Sequence, residues 1–287
     1  MSQAPATLPE GLDDALQLIG RAVRRARGEY REDEWGFDRE FAESVFPALE
    51  FLFDRWWRVE VEGLPNLPGQ GRTLIVANHS GTIFPFDALM IGTAVRRLHP
   101  HPRWTRALVL DWVFELPFVS YLMRRLGGVP ADPANLSRLL DEDELVMVFP
   151  EGAKGFGKPF SERYRTQRFG RGGFIAEALR TGTPIVPVSV VGAEETYPKL
   201  GEIGMLARLI GAPYFPFTPT FPFLGPLGLV PLPSRWRIAF LEPLDLSAYP
   251  PEAAEDPALV FDLAEQVRET VQGGIYRGLV ERGAAFG

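Results

Sequence analysis

Two rhythms of apolar residues take turns along this chain. In some stretches they recur every three or four positions, as on one face of a helix, and in others they form short alternating or unbroken runs, as on strands. Leu12, Leu16, Ile19 and Val23 mark a first helix with a narrow apolar face ending in Arg21, Arg24, Arg25 and Arg27. Phe41, Val45, Leu49, Leu52, Phe53 and Trp56 mark a second, wider face, which Pro47 restarts or kinks. Trp57, Val59 and Val61 alternate with charged residues, a half-exposed strand, and the run Thr73 to Ala77 predicts a buried one. Strands follow at Ala107–Leu110, Gly127–Pro130, Leu145–Phe149, Pro184–Val191 and Arg235–Leu241. Between them the pattern predicts helices near Ala88–Ile91, over Val113–Leu126 with a break near Pro117, over Leu136–Leu140 and near Gly173–Arg180. A last helix lies within Pro257–Arg282, weakened at Gly273-Gly274. This alternation predicts an α/β fold, a mainly parallel central sheet covered by helices on both faces, with amphipathic helices at the N-terminus.

The chain has 287 residues, enough for one large α/β domain with appendages and a full hydrophobic core. The reading places N-terminal helices in 1–55, the core in 56–245 and a C-terminal helical segment in 246–287. Without a single cysteine there is no disulfide, thiolate nucleophile or sulfur-ligated zinc site. A net charge of −7 argues against nucleic acid as a partner, because such binding needs a basic surface. Locally the sign reverses. Between Lys154 and Arg171, six basic residues face Glu162 alone, either a loop suited to a phosphorylated ligand or a solvated run of charge.

No stretch is predicted to span a membrane: the long apolar region from Gly204 to Pro233 is broken by seven prolines. Its Pro- and Phe-rich part, Tyr214 to Leu227, is read as a wall of an apolar channel, a lip dipping into a membrane, or ordinary cover for the core. The N-terminal helices either lie on a bilayer, with Trp56 and Trp57 near the headgroups, or pack on the core.

The most informative residues stand at strand ends. Asn78-His79 closes the Thr73–Ala77 run, Asp87 follows shortly after, and Phe149-Pro150-Glu151-Gly152 closes a later strand in the same way. A His delivered to a sheet edge with an Asp nearby has the parts of a general base and its orienting partner. The plainer alternative is a His bonded to a backbone carbonyl and an Asp capping the next helix. Ser80 and Gly81 leave room for a substrate head. Metal binding is not expected, since His99 and His101 have no carboxylate cluster beside them.

The ordered set Asn78-His79 to Asp87, Phe149-Pro150-Glu151-Gly152 and Pro184-Ile185-Val186-Pro187-Val188 resembles the PlsC-like lysophospholipid and glycerol-phosphate acyltransferase superfamily over roughly residues 50 to 245. The resemblance implies an enzyme that moves a fatty acyl group from acyl-coenzyme A or acyl carrier protein, as co-substrate and with no cofactor, to a lipid hydroxyl. It implies His79 as base, Asp87 as its orienter and Glu151-Gly152 on the acceptor side, with Lys154 where the family often has Arg. Asn78, Ser80 and Gly81 join the substrate-binding set, and Lys158, Arg163 and Arg165 offer charge to a phosphate. Membrane lipids are the expected partners, and a peripheral, cytoplasmic location is expected.

The sequence departs from the family in two places. Seven residues separate His79 from Asp87 where the family has four, which puts Phe84 at the usual Asp position. The block Gly128 to Asn135 carries Asp132 where glycerol-phosphate acylating members commonly have Arg, and so resembles branches that acylate neutral or lipidic alcohols. A neutral-lipid or long-chain-alcohol acyltransferase, a lipid hydrolase and a non-catalytic lipid-binding protein therefore stand as alternatives.

Overall fold

The structure is a computed structural model describing residues 32–80, 84–116, 119–211 and 214–286. The helix expected over Leu12 to Val23, with its arginines, lies outside the described residues. Strands β1 (Glu60–Glu62), β2 (Thr73–Ala77), β3 (Thr105–Val109), β4 (Gly128–Pro130), β5 (Leu145–Val148), β6 (Ile185–Val191) and β9 (Arg237–Phe240) form one sheet. Its order is β1-β9-β6-β2-β5-β3-β4. Five neighbouring strands from β6 to β4 are mutually parallel, whereas β9 pairs antiparallel with β6 and parallel with β1. The central strands β2, β5 and β6 are buried at every residue, which explains their unbroken apolar runs.

Eight helices accompany them among the described residues: α1 (Arg39–Phe51), α2 (Phe86–Leu98), α3 (Val119–Arg125), α4 (Pro133–Asp141), α5 (Gly152–Phe156), α6 (Gly173–Thr181), α7 (Gly204–Ile210) and α8 (Pro257–Arg282). One face of the sheet packs on α4, α6 and α8 through Leu139, Ile175 and Val267. The other packs on α2 and the chain before β1 through Met90, Phe53 and Trp57.

One expectation changes and one choice between alternatives is decided. The C-terminal helix is unbroken through Gly273-Gly274 and belongs to the core, with Val260, Leu263, Val267, Val271 and Ile275 all buried in it. Gly274 serves contact rather than weakness: a Cβ there would lie 2.6 Å from the Ser189 hydroxyl on β6, so the missing side chain lets helix and sheet approach. The second N-terminal helix packs on the protein, holding Pro47 inside α1 and ending in a π-helical turn over Leu52–Trp56. Trp57 is no headgroup anchor: it is fully buried, stacked on Trp236 at 4.7 Å, and its indole N–H donates to the Leu232 carbonyl. The small hairpin of β7 (Gly201–Glu202) and β8 (Pro216–Phe217) stands apart from the main sheet and carries α7 between its strands.

Candidate active site

β2 ends at Ala77, and the polar turn that follows is pinned before it reaches the ring that matters. Asn78 is buried with both ends of its amide on Val190 of β6, accepting from the backbone N–H at 2.8 Å and donating to the carbonyl at 3.0 Å. It therefore ties two strand ends together, which corrects its placement in the substrate-binding set. His79 follows, with Nδ1 2.7 Å from Asp87 Oδ2. The longer spacing does not separate the pair. Phe84 and Pro85 lead into α2, and Asp87 sits in that helix's first turn, pointing back at the end of β2.

Asp87 is wholly buried, and one carboxylate joins both elements. Oδ2 also accepts the Ser80 N–H at 2.8 Å, while Oδ1 accepts the N–H of Ala88 at 2.9 Å. Burial alone would raise its pKa. The His79 charge and hydrogen bond, with the amides of Ser80 and Ala88, outweigh burial and hold the carboxyl below its ordinary value. An ionised carboxylate on Nδ1 selects the tautomer with its proton there and leaves Nε2 as the basic nitrogen. Nε2 has no protein partner among the described residues, and His79 lines a cavity.

Glu151 supports the same histidine from below. Its Oε1 accepts the His79 backbone N–H at 2.9 Å and its Oε2 the Gln167 N–H at 2.6 Å, so it holds the turn rather than reaching an acceptor. Burial pushes its pKa up, opposed by Lys158 and by those amides. Gly152, at φ +55°, lines the cavity, and a Cβ there would meet no atom within 4 Å. Phe149 and Phe156 sandwich the imidazole region, their ring centroids 4.5 and 4.8 Å from that of His79.

The cavity has a volume of about 390 Å³ and is bounded by α1, α2, β3, β5 and the start of α6. Phe46, Leu89, Ala107, Trp104 and Met147 give it an apolar wall. Besides His79, its charged lining residues are Asp132, Arg171 and Glu177. Asp132 caps α4, accepting the Ala134 N–H at 2.8 Å. No residue from Tyr214 to Leu227 lines the cavity, so that segment is not the channel wall.

The cationic loop is divided by the fold. Lys158 is buried, with Nζ 2.7 Å from Glu194 and 3.9 Å from Glu151, and those carboxylates outweigh burial to hold it above its ordinary pKa. A lysine so committed offers no charge to a ligand, which corrects its expected role. Arg163 lies over the Phe160 ring at 4.4 Å and donates to the Phe160 carbonyl, away from the main cavity. Lys154 and Arg165 are exposed, outside the lining. Ser80 is buried, and Gly81 lies outside the described residues. Of the loop's six basic residues Arg171 is the one that lines the cavity; the loop's charge was the signal for it, but nothing in the sequence separated it from its neighbours. The aromatic sandwich was also missed, although Phe149 stands in a motif already singled out.

Comparisons with known proteins find relatives in sequence and in fold. The family model described as Acyltransferase matches residues 58–191. An uncharacterised protein of Mycobacterium tuberculosis is 50% identical over 96% of this chain and 78% of its own length. A bovine protein described as a DGAT1/2-independent enzyme synthesizing storage lipids is 22% identical, covering 79% of this chain and 65% of its own. The crystal structure of the 1-acyl-sn-glycerophosphate acyltransferase PlsC from Thermotoga maritima matches with a TM-score of 0.55 at 22% identity, over 93% of this chain and 90% of that one.

Proposed function

Because the chain belongs to the PlsC-like acyltransferase superfamily, we propose that it moves a fatty acyl group from the thioester of coenzyme A or acyl carrier protein to a hydroxyl of a lysophospholipid or related lipid, with His79 as general base. The observation that carries this reading is the buried Asp87 on His79 Nδ1 at the head of an apolar cavity. In this scheme Nε2 takes the proton of the acceptor hydroxyl as its oxygen attacks the thioester carbonyl. The tetrahedral intermediate collapses, the C–S bond breaks, and the imidazolium returns the proton to the leaving thiolate. Asp87 stabilises the transient imidazolium, and the cavity takes the acyl chain away from water. The thioester is already electrophilic, so positioning and proton transfer are the work left to the protein. We place the protein peripherally at the cytoplasmic face of a membrane, where such donors and lipid acceptors meet; among the described residues no helix is long and apolar enough to cross one.

A second reading, an uncharged lipid alcohol as acceptor, is favoured by the charges around the site. Lys158 is committed to Glu194, and in the cavity lining Asp132 and Glu177 outnumber Arg171, so the balance of charge there disfavours an anionic headgroup. The test is acyl transfer from labelled acyl-coenzyme A, and then from acyl carrier protein, to lysophospholipids, glycerol phosphate, diacylglycerol and long-chain alcohols. Product that vanishes in His79→Ala and Asp87→Ala supports the transferase and names the acceptor. Thioester loss without lipid product, still dependent on His79, points to a hydrolase. Lipid binding without turnover by either donor would make the scaffold non-catalytic.

A further inference from the structure

Most of the chain's surface follows the usual rule of scattered apolar residues, but the hairpin β7–β8 and the segment after it do not. Leu200, Met205, Leu209, Phe223, Leu224 and Leu227 are all more than half exposed, with Leu209 at 79% and Phe223 at 73%. Such a concentration on one excursion is a surface awaiting a partner.

Its charge says which partner. No Asp or Glu occurs from Ile203 to Leu241, in a protein of net charge −7. The charged residues in that stretch are Arg208, Arg235 and Arg237, and Arg237 is committed to Glu60, Glu62 and Glu281. Arg208 is exposed between Met205 and Leu209, and the nearest preceding acid, Glu202, is paired with Lys199. A cation among apolar tips, with the hairpin's carboxylate Glu202 already paired to Lys199, suits anionic lipid headgroups over acyl chains.

The excursion is held firmly at its base. The Trp56 and Trp57 indoles donate to the carbonyls of Pro231 and Leu232 at 2.9 and 3.1 Å, and Phe217 meets Phe223 edge-on at 5.7 Å. It also reaches the active site by two bridges of rings. Tyr214 lies 6.1 Å from Phe156, which lies 4.8 Å from His79. Tyr197 bonds the Leu229 carbonyl through its hydroxyl and stacks 6.4 Å from Phe86, the residue before Asp87.

We propose that the face formed by α7 and residues 218–230 docks on an anionic phospholipid bilayer and sets the His79 site beside the lipid surface. The inference rests on the acyl-transfer reading only for why a bilayer should lie there; the docking itself is measured without turnover. The full chain is floated with vesicles of phosphatidylcholine alone and with about 30% phosphatidylglycerol added. Wild type should bind the anionic vesicles, more weakly as salt rises. Met205→Asp with Leu209→Asp, and separately Leu224→Asp with Leu227→Asp, should each lower the bound fraction roughly tenfold or more. Neither pair should move the melting temperature or turnover of detergent-dispersed substrate, since these side chains touch neither core nor cavity.

Wild type that fails to float, or face variants that float like it, would overturn the proposal. Two other occupants give distinct results that also overturn it. If the N-terminal segment makes the attachment, Leu16→Asp with Ile19→Asp abolishes flotation while the face variants keep it. If the face instead joins two copies, sedimentation shows a dimer that the face variants dissolve while vesicle binding persists. Should wild type float through this face yet transfer no acyl group to any acceptor, the enzymatic reading fails and the docking surface stands.

Discussion

Asp87→Asn changes almost no volume and removes one charge, which makes it the sharpest perturbation the site offers. The carboxylate accepts three N–H groups: His79 Nδ1 and Ser80 N on Oδ2, and Ala88 N on Oδ1. An amide has one acceptor and one donor end, so either orientation sets an NH2 against an N–H. A buried mismatch of that kind costs about 1–3 kcal/mol of stability. The effect on rate is larger. Proton uptake turns His79 into a cation facing Asp87, and two unit charges about 4 Å apart at an effective dielectric near 20 attract by about 4 kcal/mol. At about 1.4 kcal/mol per decade, losing that attraction in the transition state lowers kcat about a thousandfold. The assay is thiol release from acyl-coenzyme A at saturating acceptor, with donor KM measured alongside. The donor KM should stay within about threefold, because Asp87 is wholly buried and does not line the cavity. A kcat within about tenfold of wild type would refute the reasoning, since the imidazole would then gain no charge in the rate-limiting step.

The lowered pKa of Asp87 has a sign that can be checked. The native carboxyl binds its proton more weakly than the unfolded one, so its contribution to stability is complete above the ordinary carboxylate range and is lost as pH falls through the lowered value. Urea titrations in acid should show a shallower loss of stability in Asp87→Asn than in wild type. Lys158→Met should destabilise by about 3–5 kcal/mol by stranding Glu194 and Glu151, whereas Lys154→Ala at the exposed surface of α5 should be neutral within about 0.5 kcal/mol in the same melts. Gly273→Ala should stabilise α8 by roughly 0.5–1 kcal/mol, because its Cβ meets only the far end of Arg277 at 3.7 Å. Gly274→Ala should lose about 1–3 kcal/mol despite the same gain in helix propensity, through its clash with Ser189 and Leu241; equal melting temperatures for the two variants would refute that contrast.

The parts legible in the sequence were those governed by local pattern. The runs at 73–77, 145–149 and 184–191 read as strands because strands buried on both faces have no polar positions to interrupt them. The His79–Asp87 pair was legible as chemistry although its spacing was unusual, since the start of α2 rather than the number of intervening residues sets where the carboxylate points. What stayed hidden depended on partners distant in sequence. Nothing beside Lys158 announces Glu194, thirty-six residues on, and nothing beside Asn78 announces the Val190 backbone that takes its amide. The weakness read into Gly273-Gly274 followed helix propensity alone, and the close approach of β6 is a tertiary term that propensity omits.

These hidden partners also explain why the histidine needs two acids. Asp87 fixes the ring through Nδ1, and Glu151 fixes the backbone of the same residue through its N–H, so the imidazole is held at both ends of its side-chain bond. The two carboxylates must differ in what surrounds them. Asp87 is held ionised by the histidine it serves and by two amides, whereas Glu151 is pushed toward its neutral form by burial and is opposed chiefly by Lys158. Lys158 is therefore a positioning residue acting through Glu151, and Glu194 is the counter-ion that keeps that lysine charged. A chain of contacts thus runs from Glu194 through Lys158 and Glu151 to the His79 amide, with its charged members buried beyond the apolar cavity. A cationic loop suited to phosphate predicts Lys158 at the substrate. Its geometry assigns that charge to the histidine's own support and leaves Arg171 as the lining cation nearest to such a role.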